Sequence, residues 1–124
     1  MYCALYRALI NTPGPHPISY GHDNTLIGVY GGQTLIFEPP ATLGAGFECI
    51  VKKVSVDSSI INLARADGGL IDGSNDVAIY FTMQMIHLAV IDGQLVALNE
   101  WRNGMDMKSH RTITSVDIPA NDCY

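Results

Sequence analysis

The stretch Met85-Ile86-His87-Leu88-Ala89-Val90-Ile91-Asp92-Gly93-Gln94-Leu95-Val96-Ala97-Leu98-Asn99 decides the fold class. Two apolar runs flank Asp92-Gly93. A type I′ turn needs positive φ at both central positions, and Asp-Gly tolerates it. The pattern therefore predicts a hairpin joining strands at 85–91 and 94–99. Just upstream, Val77, Ile79 and Phe81 fall on one side of an extended segment, as Ile86, Leu88 and Val90 do on the next, and the two sides are expected to meet in the core.

Working outward, the chain from Asn24 onward divides into short runs rich in Val, Ile, Thr, Tyr and Phe, separated by Gly, Asp, Pro and Asn at intervals of about eight to twelve residues. Strands are expected near 25–30, 34–38, 47–54, 59–65, 76–82, 85–91, 94–99 and 111–118. This predicts an all-β domain, a small antiparallel sandwich or barrel-like fold. Gly31-Gly32 is expected to turn the first strand pair as a hairpin. Asp67-Gly68-Gly69 and Asp72-Gly73-Ser74-Asn75 bracket Leu70-Ile71, an apolar insert expected to plug the end of the core. Helices should be few, with short candidates only in the first ten residues and around 100–108.

The totals fit this reading. The 124 residues suit one domain, and 48% apolar composition supplies a core without disulfides or a structural metal. Seven Lys plus Arg against twelve Asp plus Glu give a net charge of −5. That balance argues against a groove tracking nucleic-acid phosphates. Cys3, Cys49 and Cys123 form no CxxC pair, so neither a zinc ribbon nor a dithiol redox motif is expected. The start of the chain lacks the basic residues and long apolar run of a secretion signal, which points to synthesis in a reducing cytoplasm. No run approaches the ~20 apolar residues that span a bilayer.

Residues 1–22 read differently from 23–124, which form the β-domain. Tyr2, Leu5, Tyr6 and Leu9 lead into a segment stiffened by Pro13, Pro15 and Pro17, which excludes regular helix and central strand. An extended N-terminal arm is expected, lying over its own domain or reaching a neighbouring subunit. Its apolar residues are the expected assembly interface.

Residues that could carry chemistry are scattered. His16, His22, His87 and His110 show no HxH or HExxH spacing, and His87 alternates away from Ile86 and Leu88, which predicts an outward or interface histidine. The serines lack a GxSxG context, and Ser109-His110 adjacency does not make a triad. Asp57, Asp67, Asp72, Asp76 and Asp92 nearly all stand beside Gly, Ser or Asn, where turn chemistry explains them. A calcium site from Asp67, Asp72, Asn75 and Asp76 would have the right oxygen ligands but not EF-hand spacing. No catalytic residue, metal or cofactor is expected.

The order of motifs from Thr34 to Gln94 says more than any one of them. Thr34-Leu35-Ile36-Phe37-Glu38-Pro39-Pro40-Ala41 and a Gly44-Ala45-Gly46 loop lead to Phe47-Glu48-Cys49-Ile50-Val51-Lys52-Lys53. Gly69-Leu70-Ile71-Asp72-Gly73 and Val90-Ile91-Asp92-Gly93 follow. This succession resembles a β-rich module of tailed-bacteriophage virion proteins, found in capsid-decoration, head-fibre and tail-fibre contexts. Leu95 departs from it, standing where the module carries an aromatic residue; the only Trp is Trp101.

The resemblance implies a virion structural protein without catalytic machinery, commonly a homotrimer. The short chain and apolar arm suit a capsid decoration (cement) protein that binds the major capsid protein on the outer surface of the head and stabilises it. The alternative is a tail-fibre or tail-tip module that binds a host surface receptor or glycan through loops 67–76 and 100–110, with Tyr80 and Trp101 as stacking residues. In either case the turns at Asp72-Gly73 and Asp92-Gly93 are structural. Neither nucleic acid nor a membrane is an expected partner.

Overall fold

A computed structural model describes residues 6–12, 14–75, 77–102, 105–106 and 111–112, and from residue 101 onward the backbone alone. In chain order the elements are β1 (Tyr6–Ile10), β2 (Pro15–Ile18), β3 (Thr25–Val29), β4 (Thr34–Phe37), α1 (Pro40–Leu43), β5 (Glu48–Lys53), β6 (Ile61–Arg65), β7 (Val77–Ile79), β8 (Met85–Ile91), β9 (Gln94–Arg102), β10 (Met105–Asp106) and β11 (Arg111–Thr112). A single 3-10 turn, Tyr20–His22, follows β2. Among the described residues the protein is built of strands with almost no helix, as its sequence pattern predicts.

The strands form two mixed sheets. Sheet A is seven-stranded in the order β1-β3-β5-β8-β9-β10-β11, and sheet B is four-stranded in the order β2-β4-β6-β7. The chain alternates between them through β6. Strands two elements apart thus lie side by side and run the same way: β1 with β3, β3 with β5, β2 with β4, and β4 with β6 are all parallel. Tyr6 lies beside Thr25 and Pro15 beside Thr34, the same chain separation in both sheets, so β1–β2 and β3–β4 are successive turns of one flattened coil. The expectation of an antiparallel fold is corrected accordingly. Its physical reason lies at Gly31-Gly32, which does not make a hairpin. Gly32, at φ 86°, turns the chain from one sheet to the other, and its N–H donates to the carbonyl of Ile60.

Antiparallel pairing returns in the second half, where β5 pairs with β8, β6 with β7, and β8 with β9. The β8–β9 hairpin closes on Asp92 and Gly93, whose φ values of 52° and 71° give the left-handed pair that the sequence predicts. Asp72 and Gly73 make a second such turn, with φ of 52° and 76°. Ile71 and Ser74 exchange backbone hydrogen bonds across it at 2.8 and 2.9 Å.

Alternation places one side of each strand in a common core. Ile27, Val29, Cys49, Val51, Ile86, Leu88 and Val90 of sheet A pack with Ile18, Leu35, Phe37, Ile61, Leu63 and Ile79 of sheet B. Each fully buried large apolar side chain contributes roughly 1.5–3 kcal/mol. Ile71 enters this core as the expected plug, whereas Leu70 beside it is exposed. Phe81 does not follow Val77 and Ile79 inward. Strand β7 ends at Ile79, and the buried Gln84 side chain accepts hydrogen bonds from the N–H groups of Tyr80 and Phe81 at 3.0 and 3.1 Å, bending the chain outward.

Two further expectations are corrected. Where they are described, the helical candidates are strands instead: β1 occupies Tyr6–Ile10, and β9 extends to Arg102. Segments this short form no stable helix alone, and a neighbouring ladder supplies their backbone partners. Residues 6–10 and 15–18 are not an arm apart from the domain either. Their backbones pair with β3 and β4, and Ile18 is fully buried in the core. The prolines of β2 are compatible with this because it is a terminal strand of its sheet.

Candidate functional site

The terminal turn of the coil, β1 and β2, holds Tyr6, Leu9, Pro15 and Pro17 of the residues expected to make contacts. Tyr6 and Leu9 on β1 are 64% and 59% exposed. Pro15 and Pro17 on β2 are exposed as well. Tyr2, Leu5 and Pro13 lie outside the described residues.

The two strands present opposite chemistry at their outer edges. In a parallel ladder the N–H and C=O of alternate residues point to the same neighbour. On β1, Tyr6 donates to the carbonyl of Asn24 and the carbonyl of Ile10 accepts from Tyr30, at 3.3 and 2.9 Å, so Tyr6, Ala8 and Ile10 face β3. The backbone groups of Arg7 and Leu9 therefore face away from the sheet. On β2 the carbonyl of Ile18 accepts from Glu38 at 3.0 Å, so His16 and Ile18 face β4 and the outward positions fall to Pro15 and Pro17. These prolines cost no ladder hydrogen bond, and they leave the β2 edge without a donor.

A cleft of about 360 Å³ opens beside β1, lined by Tyr6, Arg7, Ala8, Gly21, His22, Asp23 and Thr25. The Asp23 carboxylate accepts from the N–H of Glu48 at 3.0 Å, and His22 Nδ1 accepts from the N–H of Ser19 at 3.2 Å, so both side chains are held in place. A second cleft, of about 200 Å³, lies against β7 and β9 and is lined by Asp72, Ser74, Val77, Ala78, Tyr80, Ala97 and Glu100. Tyr80 stands half exposed at this cleft, and Asp72 accepts from the N–H of Ala97 at 3.1 Å. Trp101 continues β9 opposite Met85, but its side chain lies outside the described residues. The structure therefore places Tyr80 at a cleft.

The remaining candidates do not converge. His87 lies on the outer side of sheet A, as alternation predicts, and it is buried there rather than exposed to solvent. Burial pushes its imidazole down to about 4. Its Nε2 stands 3.4 Å from the Glu48 carboxylate, which burial and nearby Asp23 push up. Asp67 is bound by Arg65 at 2.6 and 2.9 Å and accepts from the N–H of Gly69, which lowers its carboxyl. Asp72 is engaged separately and Asp76 is outside the described residues. Among the described residues no three metal-ligating side chains share a site. Cys49 is buried in the core, which raises its thiol out of the reactive range.

Lys53 is the residue that sequence reasoning missed. It is fully buried, and its Nζ donates to the carbonyl of Asp57 at 2.6 Å and lies 3.1 Å from the Asp57 carboxylate. Hydrogen bonds from Ser59 and Lys53 hold Asp57 down to about 2. Gly31 packs against this group so closely that a Cβ there would lie 1.9 Å from Ser59 Oγ. The signal was present in the alternation of Cys49, Val51 and Lys53 along β5. This network ties the inter-sheet connections at 30–33 and 54–60 together.

Comparison with known proteins finds no matching family, no similar curated protein and no similar solved structure.

Proposed function

We propose that this chain is a virion structural protein, a capsid decoration protein that binds the major capsid protein on the outer head surface as a homo-oligomer, with the trimer of the resembled modules as its expected symmetry. In this reading the two sheets pack as an open sandwich whose terminal coil turn makes the assembly contacts. One observation carries it: Tyr6 and Leu9 are exposed on a strand that is terminal in its sheet, and among the described residues nothing pairs with its outward backbone groups. An unblocked apolar edge is what proteins avoid unless it is used. The order of strand and turn motifs between Thr34 and Gln94 supplies the virion setting. The test adds purified protein to heads of the parent phage that lack it. Density on the outer capsid surface and a raised disruption temperature of the heads are expected. Density confined to the tail would refute the reading.

The second cleft favours one rival, a tail-fibre or tail-tip module that binds a host glycan. The half-exposed Tyr80 ring beside Asp72, Ser74 and Glu100 offers the stacking surface and polar groups that a sugar requires. Glycan-array binding lost in Tyr80→Ala, with the fold intact, would move the assignment to this reading.

A further inference from the structure

We propose that β1 pairs antiparallel with β1 of a second copy across a two-fold axis at Ala8, joining two sheets A into one continuous sheet. The contact deepens the assembly reading by naming a surface and a partner, and it rests on that reading only for its biological setting.

The register follows from the outward groups. Arg7 and Leu9 face away from β3, so in an antiparallel pair they are the residues that exchange N–H···O bonds with the partner. With Ala8 on the axis, Arg7 of each copy meets Leu9 of the other, and every outward group of both residues is used. Tyr6 then lies opposite Ile10 of the second copy, covering a ring that is 64% exposed in the single chain. Leu9 gains the aliphatic stem of Arg7. An axis at Arg7 would instead set two like charges directly opposite, which is destabilising. An axis at Leu9 would move Tyr6 off Ile10 and leave it in water. The other edge of the same coil turn is closed to this chemistry by Pro15 and Pro17. Within this coil turn the pairing is therefore confined to β1. Because it is two-fold, it adds to a three-fold assembly rather than building one.

The test uses the full chain with Cys3 and Cys123 replaced by Ser. Residues opposite each other in a non-hydrogen-bonded pair have Cα atoms about 4.5 Å apart, within disulfide range. Ala8→Cys should oxidise to an intermolecular disulfide, whereas Leu9→Cys should not. Leu9→Pro removes an outward N–H without touching the β1–β3 ladder, and should halve the solution mass measured by light scattering while leaving the circular dichroism unchanged. Crosslinking at Leu9→Cys but not at Ala8→Cys, or a Leu9→Pro chain that folds and keeps the wild-type mass, would overturn the proposal. If Leu9→Pro fails to fold, the crosslinking arm decides alone. Failure of capsid binding with crosslinking intact would refute the assembly reading and leave this contact standing.

Discussion

Strands β1 and β2 end the same coil turn, one in each sheet, and each pairs in parallel with a single inner neighbour among the described residues. They nevertheless treat their open edges in opposite ways. On β2 the outward positions are Pro15 and Pro17, which remove the donors a further strand would need. On β1 they are Arg7 and Leu9, which keep theirs. The difference shows that a proline in a strand is informative only once the ladder direction is known. It also shows that prolines guard the β2 edge and not the β1 edge.

The largest expected effect breaks this comparison within β1 itself. Ala8 faces β3, so Ala8→Pro deletes a ladder hydrogen bond and should cost up to about 3 kcal/mol in chemical denaturation. Leu9→Pro faces outward and should cost less than ~1 kcal/mol. Equal costs would mean that the two faces of the strand are wrongly assigned.

A second effect sharpens the contrast between the edge and the middle of sheet A. Leu9 and His87 lie on the same side of the sheet, yet one is exposed and the other buried. The His87 imidazole is held at about 4, below its ordinary value, so the unfolded chain binds this proton first as the pH falls. Its contribution is intact above about pH 6.5 and is lost progressively down to about pH 4, by at most about 3 kcal/mol. Glu48 acts with the opposite sign. Its raised carboxyl favours the folded state while protonated, and that contribution fades as the pH rises. Denaturation of His87→Gln across this range should show a flatter pH profile than wild type. An unchanged profile would mean that His87 is not desolvated.

Gly31→Ala should cost about 1–2 kcal/mol, because its Cβ forces Ser59 out of the Asp57–Lys53 group. A Tm equal to wild type would show that Ser59 moves freely. The smallest effect on stability belongs to the double change Pro15→Val and Pro17→Val, expected within about 0.5 kcal/mol. Restoring two outward donors should nevertheless raise concentration-dependent association in light scattering. No change in association would show that the prolines do not guard the edge.

How much of this was legible in the sequence varies with the physical signal. The β8–β9 hairpin was readable because Asp92-Gly93 is a local turn with its own backbone requirement. The strand segments between 25 and 99 were readable from alternation, with boundaries shifted by a few residues. The parallel coil was not, because pairing β1 with β3 and β2 with β4 is decided by where each connection crosses, and Gly31-Gly32 suits a hairpin as well as a corner. The same ambiguity made residues 6–18 read as an arm. Exposed apolar residues and prolines describe a terminal strand equally well. At the candidate site, Tyr6 and Leu9 were visible as apolar residues seeking cover. The role of Arg7 was not, since it depends on which side of β1 carries the ladder. Lys53 was hidden because a Lys-Lys pair ordinarily signals solvent.

The most direct test of the open β1 edge is amide hydrogen exchange, followed by NMR as a function of protein concentration. The amides of Ala8 and Ile10 should be protected at every concentration, because they belong to the β1–β3 ladder. Those of Arg7 and Leu9 should exchange freely in dilute solution and become protected as the chain associates. Protection of Arg7 and Leu9 in the isolated chain, or free exchange in the fully associated one, would contradict the account.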